Sequence, residues 1–257
     1  MIDGRVAYTG GVNLADEYIG KTIRFGHWKD SALRLEGDAV QELTKLFLID
    51  FGISVKRPPG AKHDYFPPCA CEGGGAFVLP FGDGPRPIYP RPAAKDLLLA
   101  MLAGARERVH ITTPYLIIDN ELCHALENAA LRGVTVQIIL PHIPDKRLIL
   151  SMSRTYYPRL MAAGVEVYEY TPGFLHAKNY IVDSEIALAG SINLDYRSLV
   201  HHFENGVWLY RAPVIAEMEA DFEKTLAACF RVERKDLRPR ASERLAVALV
   251  KVFSPLL

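Results

Sequence analysis

A duplication constrains this chain more than any other feature of its sequence. The segment DGRVAYTGGVNL at Asp3–Leu14 aligns with DSEIALAGSINL at Asp183–Leu194, and Asp, Ala, Gly, Asn and Leu recur at matching offsets. Downstream, Asp30-Ser-Ala-Leu-Arg-Leu35 answers Glu204-Asn-Gly-Val-Trp-Leu209, and each stretch runs into a helical pattern containing Val40 or Val214. Two copies of one strand–turn–strand–helix unit are therefore predicted.

Between the copies, apolar periodicity alternates in type. Val109–Thr113, Val134–Leu140 and Val165–Tyr170 read as strands, as do Ile2–Gly10, Asp30–Leu35 and Gly206–Tyr210. Ala94–Arg106, Asn120–Arg132, Pro144–Ala163 (interrupted at Pro158) and Ala212–Phe230 read as helices, and Ala39–Phe51 as an amphipathic helix closed by Gly52. This alternation predicts an α/β fold, with mixed sheets flanked by helices. Lys56–Pro92 is rich in proline and glycine and reads as a linker, within which Ala76–Pro80 could enter as a strand. The expected organisation is residues 1–55 as a first lobe, 56–92 as linker and 93–257 as a second lobe.

Composition excludes some functions. Lys plus Arg equals Asp plus Glu at 30 each, so the basic footprint of a nucleic-acid binder is missing from the total. No window reaches the roughly 18 apolar residues of a membrane span. The tail Arg244–Leu257 could lie in a lipid interface or pack as a helix on the domain. Cys69, Cys71, Cys123 and Cys229 fit no zinc spacing and read as reduced thiols.

The second copy contains the chemistry. Phe174–Asn193, FLHAKNYIVDSEIALAGSIN, carries H-x-K-x4-D-x6-G-S-x-N. Strand alternation points His176 and Lys178 to one face. An imidazole beside an ammonium, with hydroxyl and amide donors nearby, suits a phosphate diester. His176 can attack phosphorus or protonate a leaving oxygen, while Lys178, Ser191 and Asn193 hold the non-bridging oxygens. Asn13 is the matching donor from the first copy. Asp183 is grouped with His176 and Lys178 as the third member of the catalytic motif, and it and Asp3 are expected to act by orienting the backbone at the strand's far end. Glu204 is expected to accept a hydrogen bond from His176 and set its tautomer, with Asp30 doing the same for the first copy's histidine. His201 and His202 read as structural or substrate-lining. Counting back from Asp3 by the same offsets puts the first copy's His and Lys five and three residues upstream of Met1. The expectation is a first lobe truncated within its own motif, and low activity for a chain with one of two concerted groups.

At these residues the sequence resembles the phospholipase D superfamily, and within it bacterial cardiolipin synthases. ITTPYLIIDNE at Ile111–Glu121, ALRGVTVQIILP at Ala130–Pro141 and YEYTPGFLHAKNYIVD with GSINLDYRSL extend the likeness over nearly the whole chain. The resemblance implies a duplicated fold in which two histidines converge on one phosphate without a metal or other cofactor. It also implies phosphatidyl transfer between phosphatidylglycerol molecules through a phosphatidyl-histidine, at the cytoplasmic membrane surface, with membrane spans upstream. Two alternatives stand beside it. One is a phosphodiesterase or nuclease working as a homodimer; the other is a non-catalytic phospholipid-binding fragment.

Overall fold

The computed structural model describes residues 1–16, 18, 21, 24–56, 64–68 and 75–237. The cysteines Cys69 and Cys71 and the tail Arg244–Leu257 lie outside the described residues. In chain order the elements are β1 (Val6–Gly10), β2 (His27–Lys29), β3 (Ala32–Glu36), α1 (Asp38–Val55), β4 (Phe77–Asp83), α2 (Ala93–Gly104), β5 (Arg108–Thr112), β6 (Leu116–Ile117) and α3 (Asn120–Leu131). There follow β7 (Thr135–Pro141), α4 (Arg147–Arg154), α5 (Tyr157–Ala162), β8 (Glu166–Tyr170), β9 (Gly173–Leu175), β10 (Asn179–Val182), β11 (Ile186–Gly190), β12 (Leu194–Asp195), β13 (Glu204–Tyr210), α6 (Val214–Leu226) and β14 (Cys229–Arg231).

Eight strands form one mixed sheet in the order β14-β8-β7-β5-β10-β11-β13-β4, parallel across β8, β7 and β5 and antiparallel elsewhere. Alternation along each strand divides the core into two layers. Tyr180, Val182 and Leu188 join Leu98, Leu122, Leu126 and Leu160 beneath the helices of one face. Ile181, Ala187, Ala189, Val207 and Leu209 face the other side, where α6 contributes Ile215, Met218 and Phe222. Ala7, Leu33, Leu35, Val40 and Leu43 belong to that same cluster, so the β1–β3 hairpin and α1 share a core with α6.

The duplication extends to the register. β1 pairs antiparallel with β3 from Val6↔Glu36 to Gly10↔Ala32, and β11 pairs with β13 from Ile186↔Tyr210 to Gly190↔Gly206. The turns before them match too: Asp3 and Gly4 have φ of 49° and 65°, Asp183 and Ser184 of 53° and 55°. Equivalent backbone bonds close both hairpins, from Gly11 N–H to the Ser31 carbonyl at 3.1 Å and from Ser191 N–H to the Asn205 carbonyl at 3.0 Å.

Several boundaries differ from the sequence reading. β4 falls inside the proline- and glycine-rich stretch and forms the sheet edge beside β13, so the second sheet reaches back to Phe77. Its Pro80 sits where edge position makes a missing N–H tolerable. Asp83 then ties β4 to α2, accepting from Ala94 N–H at 2.8 Å. α1 runs past Gly52 to Val55, because one interior glycine costs only about 1 kcal/mol against alanine. α6 stops at Leu226, and Cys229–Arg231 instead pairs with the open edge of β8. The predicted break at Pro158 falls just before it, with the proline in the first turn of α5, where its missing N–H has no intrahelical partner to lose. Among the described residues no helix is long and apolar enough to cross a membrane.

Candidate active site

Residues 176–178 lie in the connection between β9 and β10 rather than on a strand. They are positioned by a parallel pairing of β9 with β2, in register Trp28↔Phe174 and Lys29↔Leu175. The His176 N–H extends that ladder to the Lys29 carbonyl at 2.7 Å. The next residue, Asp30, is thereby brought to the imidazole, and its Oδ2 lies 2.9 Å from His176 Nδ1. Lys29 anchors β2 to α6 through Asp221 at 2.5 and 2.7 Å.

This pairing corrects one expectation. Glu204 does not partner His176; Asp30 of the other copy does. Glu204 accepts from Ser198 Oγ at 2.8 Å and from Ser191 Oγ in a short contact. The reason is geometric: Asp30 directly follows β2, whose pairing with β9 carries it across the junction to the imidazole, whereas Glu204 opens β13. Burial raises the Glu204 carboxyl above its ordinary value against these hydrogen bonds.

Lys178 is 3% exposed, and its ammonium donates to the His176 carbonyl, keeping both functional groups on one side of the connection. Burial lowers it to about 7, opposed by the carboxylates of Asp30, Glu204, Asp195 and Asp145. The unfolded chain, at the ordinary 10.5, therefore binds more protons than the folded one between about pH 7 and 10.5. Stability is expected to rise with pH across that window. Melting temperatures of wild type and Lys178→Met from pH 6.5 to 9.5 check this; the rise in wild type should exceed that in the variant.

Gly11, where the second copy has Ser191, touches this centre through its missing side chain. A Cβ there would overlap Asp30 Oδ1 and lie 2.7 Å from the His176 carbonyl and 3.0 Å from Lys178 Nζ. Gly11→Ala should displace all three groups and lower turnover by about 10²-fold, the scale expected for a misplacement near 1 Å. A kinetic comparison at matched melting temperature would check it.

Asp183 stands at the far end of β10 and accepts from the N–H groups of Arg106, Glu107 and Arg108 at 2.9, 2.8 and 2.9 Å. Burial pushes its carboxyl up, but these three donors outweigh that and hold it below the usual range. It fixes the α2–β5 turn and takes no place beside the imidazole, as its spacing suggested. Asp183→Asn should cost about 1–2 kcal/mol in chemical denaturation. In wild type the same contribution is present at neutral pH and is lost as pH falls through the depressed carboxyl value.

The other expected residues divide. Ser191 reaches the site through Glu204. Asn193 turns its amide toward Asp195, which burial holds above the ordinary carboxyl range, and its own Oδ1 is buried without a hydrogen bond. Asn13 and Asp3 are exposed, Asp3 in the turn before β1. Asn13 follows two residues after Gly11, whose backbone abuts the His176 carbonyl and Lys178.

The sequence reading missed an aromatic wall. Trp28, Tyr18 and Phe174 lie 5.3, 6.0 and 6.0 Å from the His176 ring, centroid to centroid. Trp28 Nε1 also donates to Asp30 Oδ2 at 3.4 Å. Tyr115 was missed too; its hydroxyl donates to Asp145 Oδ2 at 2.6 Å. The clue to Trp28 was its place two residues before Asp30, which makes sense only once β2 is known to pair with β9.

Comparison with known proteins identifies the family. Residues 98–226 match the family model described as the cardiolipin synthase, phospholipase D-like domain. An uncharacterized protein of Streptococcus mutans is 43% identical over all of this chain and 55% of its own length. A cardiolipin synthase of Halalkalibacterium halodurans is 38% identical over all of the chain and 51% of its own length. The chain thus spans about half the length of the curated relatives it matches. A phosphatidylserine synthase from Haemophilus influenzae superposes with a TM-score of 0.74 over 99% of this chain and 69% of that one, at 13% identity, which shows a shared fold. With its matched domain, duplicated hairpins and buried H-x-K, the chain belongs to the cardiolipin synthase family of phospholipase D-like proteins.

Proposed function

We propose that this site transfers a phosphatidyl group from one phosphatidylglycerol to a glycerol hydroxyl of a second, giving cardiolipin and free glycerol. The observation that carries the reading is the His176–Asp30 pair beside the buried ammonium of Lys178. Asp30 occupies Nδ1 and leaves Nε2 for the reaction. The chemistry divides between two imidazoles, of which His176 is one. A P–N bond forms on the first as the P–O bond to glycerol breaks, and the second protonates the departing oxygen. The acceptor hydroxyl then returns a proton to the second imidazole and attacks phosphorus. A new P–O bond forms and the P–N bond breaks.

The second imidazole belongs against Glu204, the acid equivalent to Asp30 under the duplication. Electrostatics supports this. Lys178 stands among four carboxylates, so an entering phosphate diester meets more acid than base. A second H-x-K would supply a further lysine along with the imidazole. We read residues 1–55 as part of one lobe and 93–257, extended by β4, as the other. Trp28, Tyr18 and Phe174 would keep water from the phosphorus, favouring an alcohol acceptor. The substrate being a bilayer lipid, the protein would work at the cytoplasmic membrane surface.

Labelled phosphatidylglycerol tests the reading. A protein carrying both motifs should release one glycerol per cardiolipin formed, and its His176→Ala variant none. Phosphatidic acid as the only product would identify water as the acceptor and replace transfer by hydrolysis.

A further inference from the structure

A second cleft, of about 360 Å³, opens between the β4–α2 loop, the starts of α2 and α3, and the turn at Arg197–His201. None of His176, Lys178, Asp30 or Glu204 lines it. One wall is apolar, built from Ile117, Ile118, Leu199 and Val200. The opposite rim carries Arg86 and Arg91, both exposed and neither in an ion pair among the described residues. Lys95 and Asp119 also line the cleft, but Asp119 at 2.5 Å and Glu121 outweigh the Lys95 charge by one, so Arg86 and Arg91 are the cations left for an anion. The volume is about twelve waters' worth at roughly 30 Å³ each, far beyond an inorganic anion and near the lower bound for small-molecule sites. Guanidinium groups recognise phosphate by paired donors, and an apolar floor wants a chain rather than water. The wall is shared with the reactive centre, since Ser198 of the same turn donates to Glu204 while Leu199 and Val200 face the cleft.

From this combination we infer a non-catalytic binding site for an anionic phospholipid, its phosphate on Arg86 and Arg91 and the start of an acyl chain on Ile117, Ile118, Leu199 and Val200. The assignment stands on this cleft alone and does not need the transfer reaction.

Methyl NMR on isoleucine-labelled protein tests it, with dihexanoyl-phosphatidylglycerol titrated below its micelle threshold. The δ1-methyls of Ile117 and Ile118 should shift saturably in wild type and equally in Lys178→Met. An Arg86→Glu/Arg91→Glu variant should bind at least about tenfold more weakly, charge-assisted bonds being the strong ones. Arg86→Gln/Arg91→Gln should lie between, with the Ile138 and Ile181 methyls unmoved in both as a check on folding. Dihexanoyl-phosphatidylcholine should bind more weakly, and inorganic phosphate should leave the two methyls in place. The inference is overturned by absent shifts, by shifts that survive charge reversal, by equal binding of phosphatidylcholine, or by phosphate alone reproducing them. Shifts lost in Lys178→Met would instead assign the lipid to the reactive centre.

Discussion

In a protein carrying both motifs, His176→Ala should lower phosphatidyl transfer by about 10³-fold or more while leaving the protein folded. The magnitude follows from the group's double involvement. An imidazole that forms the P–N bond or moves the glycerol proton contributes at least 10²–10⁴-fold, and concerted groups fail together rather than in proportion. The fold should tolerate the loss, because the backbone bond from His176 N–H to Lys29 is independent of the side chain. The ring's removal leaves Asp30 beside Lys178, so its carboxylate is not stranded without a cation. Turnover of labelled phosphatidylglycerol, with a melting curve alongside, checks both halves. A variant that kept wild-type turnover would remove His176 from the reaction.

Asp30→Asn is expected to be nearly as damaging, by about 10²–10⁴-fold, although Asp30 need never touch the substrate. Its carboxylate accepts from His176 Nδ1 and so presents Nε2 to the phosphorus. An asparagine amide can donate to Nδ1 instead, which favours the opposite tautomer; the same exchange in a serine-protease triad costs about 10⁴ in rate. The loss should appear in kcat more than in KM, because lipid binding does not depend on the tautomer. It should be only partly restored by Asp30→Glu, whose extra methylene has to fit beside Gly11. A purely structural role for Asp30 would instead lower the melting temperature without altering the pH dependence of kcat.

The sequence singled out His176 and Lys178 and hid their partners. H-x-K-x4-D is legible because its spacing is local, and the hairpin copies are legible because Asp3–Leu14 and Asp183–Leu194 keep the same offsets through turn and strand. The partner exchange was not legible. It depends on β2 meeting β9, two three-residue strands with weak periodicity, and it joins residues 146 positions apart. Symmetry reasoning singled out Asp30 and Glu204 but assigned each to its own copy, and Asp30 is the one found beside His176. β4 was legible only in its first half, as the possible strand Ala76–Pro80 inside the linker, and it runs on to Asp83 at an edge that tolerates Pro80. Trp28 looked like an isolated aromatic and is part of the wall around His176.

His176 is held by the acid of the opposite copy, and on the proposed reading Glu204 serves a second imidazole. Imidazole ¹⁵N shifts of His176, measured in wild type, Asp30→Asn and Glu204→Gln, test it most directly. The account predicts a protonated Nδ1 and free Nε2 in wild type, a changed tautomer balance in Asp30→Asn, and an essentially unchanged one in Glu204→Gln. A His176 ring that responds to Glu204→Gln and ignores Asp30→Asn would contradict it.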